Sequence, residues 1–402
     1  MLKIIRNTLY QSVGKAIMVL IGLVTTSILT RNLGDFNYGL FVLISSTFLL
    51  IDALADLGTR IIGVREMARS EGKKQKEIFF NLVCLRLILL LVAMVVGLGI
   101  VWWYPAFSDF KNEATVALLM SIFTFVAGNF EMLFQAKERM GKKSVVDVLF
   151  PLFFLVMLLV WNKDITVFLV FGGYLIARVL SLVWAYTNLK DKSWFGVKKI
   201  DKKLIIALFK KSVPMGFYLL IFTVYDKAID SLVIERYFGV IEVGWYGLAY
   251  RVYGNLVMPA YFLVSSALPQ MSRNKGKSNK NIMSIALVFV MIISPIVFLL
   301  APLIMKILAG VEFSYMISAQ LLRILCVALI FSFINHVKGF NLISRNGERK
   351  MFVLGIVGLV FNLLANLYFV PKYSVYGAAW VTVGTEVLMS VLYLIDEKTS
   401  SC

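Results

Sequence analysis

The sequence predicts an all-α polytopic membrane protein of about 12 transmembrane helices in two six-helix bundles. Three observations predict it. The chain falls into a dozen apolar stretches, most of them near the roughly 20 residues that a helix needs to cross a bilayer. Its basic side chains gather in alternate connections between those stretches. A glycine-punctuated segment after the first stretch, "RNLGDFNYGLF", is echoed after the seventh by "RYFGVIEVGWY".

The predicted spans are 8–30, 38–57, 79–101, 114–135, 145–161, 165–187, 213–234, 245–269, 282–304, 316–337, 351–371 and 375–395. Hydrophobic residues make up 60% of the 402, and the mean hydropathy is +0.83. Soluble domains hold about 45–50% apolar residues, so a soluble chain could not bury stretches such as "LRLILLLVAMVVGLGIVWW". No alternating run suggests a β-barrel. Lys3 and Arg6 precede the first span as in a signal peptide. No A-x-A-like cleavage site occurs before Arg31, however, and Lys15 interrupts the apolar run, so the span reads as retained.

A net charge of +18 raises the question of nucleic acid, and its distribution answers it. With the N-terminus inside, the cytoplasmic segments 1–7, 58–78, 136–144, 188–212, 270–281, 338–350 and 396–402 hold 29 of the 41 Lys and Arg. The outward loops hold six: Arg31, Lys111, Lys163, Arg236, Lys306 and Lys372. This is the positive-inside bias that orients membrane proteins, with both termini cytoplasmic, and no nucleic-acid partner is implied. Cys84, Cys326 and Cys402 form neither a CxxC nor a paired framework, so no disulfide scaffold or zinc site is expected.

The basic segment 191–211 divides the chain into an N-terminal bundle, 1–190, and a C-terminal bundle, 212–402. Part of the segment suits an amphipathic helix on the inner face. Arg31, Gly34, Gly39 and Phe41 match Arg236, Gly239, Gly244 and Tyr246 in spacing. Six spans separate the two copies, so both lie outside and the halves relate by a pseudo-two-fold along the membrane normal. The glycines allow positive φ and close helix approach at a tight hairpin.

Charges inside hydrocarbon cost at least about 2.5–3.5 kcal/mol each near a helix centre, so they mark candidate sites. Thr8, Ser12, Lys15, Gly22 and Thr26 share one stripe of the first span. That stripe suits an aqueous lumen, or a polar helix seam with Lys15 snorkelling inward. In the seventh span Asp226 and Asp230 stand i, i+4, with Lys227 at the edge of their face and Arg251 in the next span. Such a cluster can take up a proton or sodium ion as access switches, or can simply neutralise itself between two helices. Arg86 and Arg178 lie within snorkelling reach of the inner surface, and Arg323 sits at similar depth in its span. Glu386, near the middle of the twelfth span, has no such escape and requires a partner or a lumen. Asn362 and Asn366 suit interhelical hydrogen bonds, Asp52 and Asp56 read as boundary residues, and the lone His336 has no second ligand. No P-loop, HExxH or G-x-S-x-G occurs, so no enzyme chemistry is expected.

"LTRNLGDFNYGLFVLISSTFLLIDALADLG" resembles the first hairpin of the polysaccharide-flippase family, which includes Wzx-type O-antigen flippases. "DKAIDSLVIERYFGVIEVGWYGLAYRVYGNLVMPAYFLVSSALPQMS" resembles that family's seventh and eighth spans. "NLISRNGERKMFVLGIVGLVFNLLANLYFVPKYSVYGAAWVTVGTEVL" is similar to its last three. The family stands with multidrug-and-toxin exporters and lipid II flippases. The resemblance implies an undecaprenyl-diphosphate oligosaccharide carried from inner to outer leaflet of the cytoplasmic membrane by alternating access. It also implies no cofactor beyond a proton or sodium gradient, and partners among lipids and other polysaccharide assembly proteins. On that reading Lys15, Arg86, Arg251 and Lys227 meet the anionic headgroup, and Asp226, Asp230 and Glu386 couple the ion or poise the gate. Alternatives are an exporter of cationic drugs, which needs a carboxylate-rich lumen, and a polysaccharide polymerase or ligase. The second needs a larger outer loop than "YPAFSDFKNE".

Overall fold

The computed structural model describes residues 2–161, 165–189, 192–195, 200–224, 228–273, 280–310, 313–345 and 347–399. Among them every regular element is a helix: α1 Leu2–Asp56, α2 Thr59–Ala68, α3 Gly72–Trp103, α4 Lys111–Ala136, α5 Met140–Trp161, α6 Val167–Thr187, α7 Lys202–Thr223, α8 Ile229–Tyr237, α9 Val240–Arg273, α10 Lys280–Ala309, α11 Tyr315–Ser344 and α12 Glu348–Thr399. Among the described residues nine helices are long and apolar enough to cross a membrane. Their exposed faces are apolar as well: Leu91, Val92 and Val95 of α3 and Leu299 and Leu303 of α10 face outward. Such surfaces would aggregate in water and are at home against acyl chains.

Two helices are too long to be single spans. A straight 55-residue helix would run about 80 Å, more than twice the hydrocarbon thickness. α1 breaks at Gly34 (φ 67°, ψ −177°). α12 breaks at Ser374 (φ 54°, ψ −144°), just after Pro371, between the eleventh and twelfth predicted spans. The two arms of α12 fold back on each other. A Cβ at Gly377 would lie 2.6 Å from the Phe369 carbonyl oxygen. Farther along, Asn362 donates to Thr385 at 3.2 Å, Met389 sulfur packs on Gly358, and Lys350 pairs with Asp396 at 2.7 Å. Each step back along one arm is matched by a step forward along the other, which is the register of an antiparallel helical hairpin.

The chain packs as two units, one of Met1–Ile28 with Ile44–Thr223 and one of Leu29–Leu43 with Val224–Cys402. This differs from the expected division at 191–211: the first unit runs on through α7, and the first glycine loop groups with the second. In the first unit Leu82 and Leu85 of α3, Leu133 and Phe134 of α4, Leu189, Trp194 and Leu208 share one core. Part of the basic connection therefore folds into that core, and its stretch 202–211 is helical as the start of α7. The segment 58–78, expected as a polar connection, holds α2. Gly58 (φ 74°) brings the start of α2 so close to α7 that a Cβ there would stand 2.6 Å from the Gly216 nitrogen.

In the second unit α11 is central, packed by α9, α10 and α12, with Leu321, Leu322, Leu325, Leu329, Phe333 and Val337 buried. The first glycine loop docks here. Thr30 donates to the Leu308 carbonyl at 2.8 Å and Arg31 to that of Ile307 at 2.5 Å. These carbonyls end α10, where Gly310 (φ 76°) takes the left-handed conformation common just past helix C-termini. Asp35 accepts from the Ser314 amide at 3.0 Å and its hydroxyl at 2.7 Å, at the start of α11.

The two copies of the repeated segment meet each other. Gly244 lies so close to the first copy that a Cβ would stand 2.9 Å from the Asp35 carbonyl oxygen, and one at Gly39 would overlap the Val240 carbonyl. Asp35 and Gly39 correspond in the repeat to Val240 and Gly244. The contact is therefore reciprocal, as across a two-fold axis. The next equivalent pair, Val42 and Gly247, also touches. Gly34 and Gly239 share positive φ, 67° and 111°. Arg236 differs from its counterpart Arg31: it is exposed and makes no hydrogen bond or ion pair among the described residues.

Candidate functional site

The second unit carries a buried polar seam. It starts at Asp230 near the start of α8, a residue 6% exposed. Its carboxylate accepts from the Tyr246 hydroxyl, from Asn366 at 2.8 Å and, at 3.5 Å, from Thr382. Asn366 also donates to the Asn362 side chain at 3.1 Å and backbone at 3.0 Å, while its own side-chain oxygen is buried without a hydrogen bond. Tyr246, Tyr250 and Tyr253 recur at helical spacing on α9, with ring centroids 5.6 and 5.3 Å apart. Tyr253 donates to Glu386 at 3.3 Å, and Asn335 donates to the same carboxylate at 2.6 Å and to its backbone oxygen at 2.8 Å. Ser390 closes the set on Asn335 at 2.8 Å. The tyrosine ladder thus bridges two carboxylates, Asp230 and Glu386, that the sequence placed on different spans.

The seam is rich in oxygen. The Asp230 carboxylate and the Tyr246 and Thr382 hydroxyls converge there, oxygens of the type that hard cations or a proton require. Among the described residues no cluster of three or more His, Cys, Asp or Glu gathers in one place.

Arg251 stands apart from the seam. At about 100° per residue it lies about 140° around α9 from Tyr246, on another face. It is half-buried and makes no hydrogen bond or ion pair among the described residues. The structure does not bring it to Asp230. Asp226 and Lys227 lie outside the described residues.

The first unit holds a charge network instead. Arg86, 3% exposed, faces Asp56 at 3.6 Å, and Arg60 binds the same Asp56 oxygen at 2.8 Å while reaching Glu131 at 3.6 Å. Gly128 makes room: a Cβ there would lie 2.8 Å from an Arg86 guanidinium nitrogen. Nε and Nη1 of Arg86 have no hydrogen-bond partner, and Phe125 lies 5.4 Å from its guanidinium carbon. The snorkelling expected of Arg86 is therefore replaced by burial, because Asp56 sits one helix away to receive it. Asp52 belongs to the same region, facing Ser121, Arg60 and Arg178. Arg178 stacks on Phe150, 3.9 Å from ring centroid to guanidinium carbon. Half-buried Lys15 neighbours the Lys143–Asp147 pair (2.8 Å), where Gly14 packs on Ser144. The side chains of Thr8 and Ser12, the other end of its predicted stripe, lie outside the described residues.

Sequence reasoning missed the tyrosine ladder, Asn335, Thr382 and the roles of Asp56 and Arg60. The Y-x3-Y-x2-Y spacing was a readable signal for the first. The others become visible only when helices far apart in sequence are packed.

A profile described as polysaccharide biosynthesis protein matches residues 4–275. The chain belongs to the polysaccharide biosynthesis protein family. With nine described helices long and apolar enough to cross a membrane, the chain is a multi-pass membrane protein. Over 230 residues it is 22% identical to a candidate O-antigen transporter of Escherichia coli (strain K12), a match that takes in 54% of the chain and 52% of that relative. The chain thus spans about half the length of the curated relative. Two solved structures share the fold. The lipid II flippase MurJ in an inward closed conformation superposes with a TM-score of 0.82 at 14% identity, over 97% of this chain and 87% of that one. An inward-facing multidrug resistance MATE transporter gives 0.77 at 16% identity, over 96% and 94%.

Proposed function

We propose that this family member flips an undecaprenyl-diphosphate-linked oligosaccharide from the inner to the outer leaflet of the cytoplasmic membrane, for O-antigen or related surface polysaccharide. In this reading 12 spans form two six-helix bundles related by a pseudo-two-fold along the membrane normal, with both termini cytoplasmic, and access alternates between the faces. The reciprocal Gly39–Gly244 contact supports the two-fold. The orientation rests on the distribution of Lys and Arg. The observation that carries the substrate class is Arg251, kept inside an apolar span without a counter-ion among the described residues, in a chain of the polysaccharide biosynthesis family. An arginine there costs about 2.5–3.5 kcal/mol, which a diphosphate passing through would offset. Lys15, Lys227 and Arg86 join it at the headgroup in this reading. Asp230, with Asp226 and Glu386, takes the coupling proton or sodium ion, and the tyrosine ladder relays its occupancy along α9.

The test is translocation itself. Deletion of the gene should leave lipid-linked repeat units on the inner leaflet and remove surface polysaccharide, with assembly-partner proteins intact. A second reading, an exporter of cationic compounds, draws on the shared fold with a multidrug transporter. Intact surface polysaccharide together with drug sensitivity in the deletion strain would favour that reading and end the first.

A further inference from the structure

The ends of several helices of the first unit gather around a cavity of about 120 Å³ that the transport reading does not use. It is lined by Leu133, Phe134 and Lys137 at the end of α4, Arg139 in the turn to α5, and Leu189 and Trp194 beyond α6. Trp194 is 3% exposed and forms its wall, edge-on to Phe79 with centroids 5.7 Å apart. The wall is fixed in place: Lys142 donates to the Asn188 carbonyl and Lys76 to the Ser193 hydroxyl. Lys137 nitrogen stands 4.8 Å from the centre of the Trp194 ring and Lys76 nitrogen 5.9 Å.

Two features point to a ligand. The side chains of Lys137 and Arg139 make no hydrogen bond or ion pair among the described residues, although both edge a formed cavity. The cations also adjoin an apolar wall of Leu133, Phe134 and Leu189. This arrangement suits a molecule with a phosphate at one end and hydrocarbon at the other. Size narrows the choice: drug-sized ligands occupy about 300–1,000 Å³, so this space takes a headgroup phosphate and not an oligosaccharide. Its position at the helix ends, with a tryptophan and clustered Lys and Arg, is that of a membrane interface facing the basic side.

We propose that Lys137, Arg139 and the Trp194 wall form a binding site for the phosphate of an anionic phospholipid, separate from the path of the transported substrate.

The experiment uses the full-length protein in detergent, titrated with phosphatidylglycerol or phosphatidylcholine brominated on the acyl chains. The signal is the quenching lost on Trp194→Phe. Phosphatidylglycerol should quench this component at concentrations at which phosphatidylcholine does not. Each basic side chain near an anionic surface contributes about fivefold in affinity, so K137Q/R139Q should weaken phosphatidylglycerol roughly 25-fold. K137R/R139K should retain it, which separates loss of charge from loss of fold. Equal quenching by both lipids would overturn the proposal, and so would an unaltered K137Q/R139Q titration. Displacement of phosphatidylglycerol by millimolar inorganic phosphate would make this a free-phosphate site and likewise overturn it. Displacement by a prenyl diphosphate alone would assign the pocket to substrate entry, against the proposal.

Discussion

Gly39 and Gly244, 205 residues apart in the chain, approach until a Cβ on Gly244 would stand 3.1 Å from the Gly39 nitrogen. Each also faces the other's partner carbonyl, so neither can carry a side chain without moving backbone. Gly39→Ala or Gly244→Ala should destabilise the protein by about 1–3 kcal/mol, the usual cost of overpacking. Gly22, which has open space around its Cβ position, is the control. Gly22→Ala should be neutral or slightly stabilising. Thermal unfolding of the detergent-solubilised variants reads the difference, and equal melting of G39A and G22A would refute the close contact.

Arg31 and Arg236 occupy equivalent places in the repeat but do unequal work. Arg31 donates to a terminal carbonyl of α10, whereas Arg236 is exposed without a partner among the described residues. Arg31→Ala should cost about 1 kcal/mol, the scale of a cationic side chain at a helix C-terminus. Arg236→Ala should cost nothing measurable. A matched loss in both variants would show that the capping bond contributes nothing.

Arg86 and Asp56 form a buried pair. Removing one member strands the other charge, at about 3–5 kcal/mol. Arg86→Leu and Asp56→Leu should each express poorly, while the double variant R86L/D56L should recover part of the loss. A double-mutant cycle measures the coupling, and strict additivity would mean the two groups act independently.

Asp230 separates structure from coupling. Asp230→Asn keeps shape and most acceptor capacity, so the protein should still fold; translocation should fall at least tenfold and lose its response to an imposed cation gradient. Arg251→Gln should lower translocation by a similar factor while leaving the response to the gradient intact. These two phenotypes appearing in reverse would exchange the assigned roles.

The fold was largely legible in the sequence, because spans in hydrocarbon need long apolar runs. The break at Gly34 and the turn near Pro371 and Ser374 fall where polar or helix-breaking residues interrupt those runs. The seventh span was less legible. Its helical stretches α7 and α8 are set apart, ending at Thr223 and starting at Ile229, and residues 225–227 lie outside the described residues. Of the site, Glu386 announced itself as a charge with no route to water, and it is met by Asn335 and Tyr253. Asp56 did not, since an acid at the end of a span looks like any boundary residue until Arg60 and Arg86 arrive from neighbouring helices. Asn366 suggested a partner without naming Asp230, 136 residues away. Tertiary pairing carries that information, and no local pattern does.

The bond from Arg31 to the Ile307 carbonyl joins groups 276 residues apart, which sets a clock on biogenesis. At roughly 5–20 residues per second, the ribosome adds the acceptor about 15–55 seconds after the donor. Through that interval the first glycine loop must stand unfastened, and it can be secured only once the chain has been made as far as Ile307.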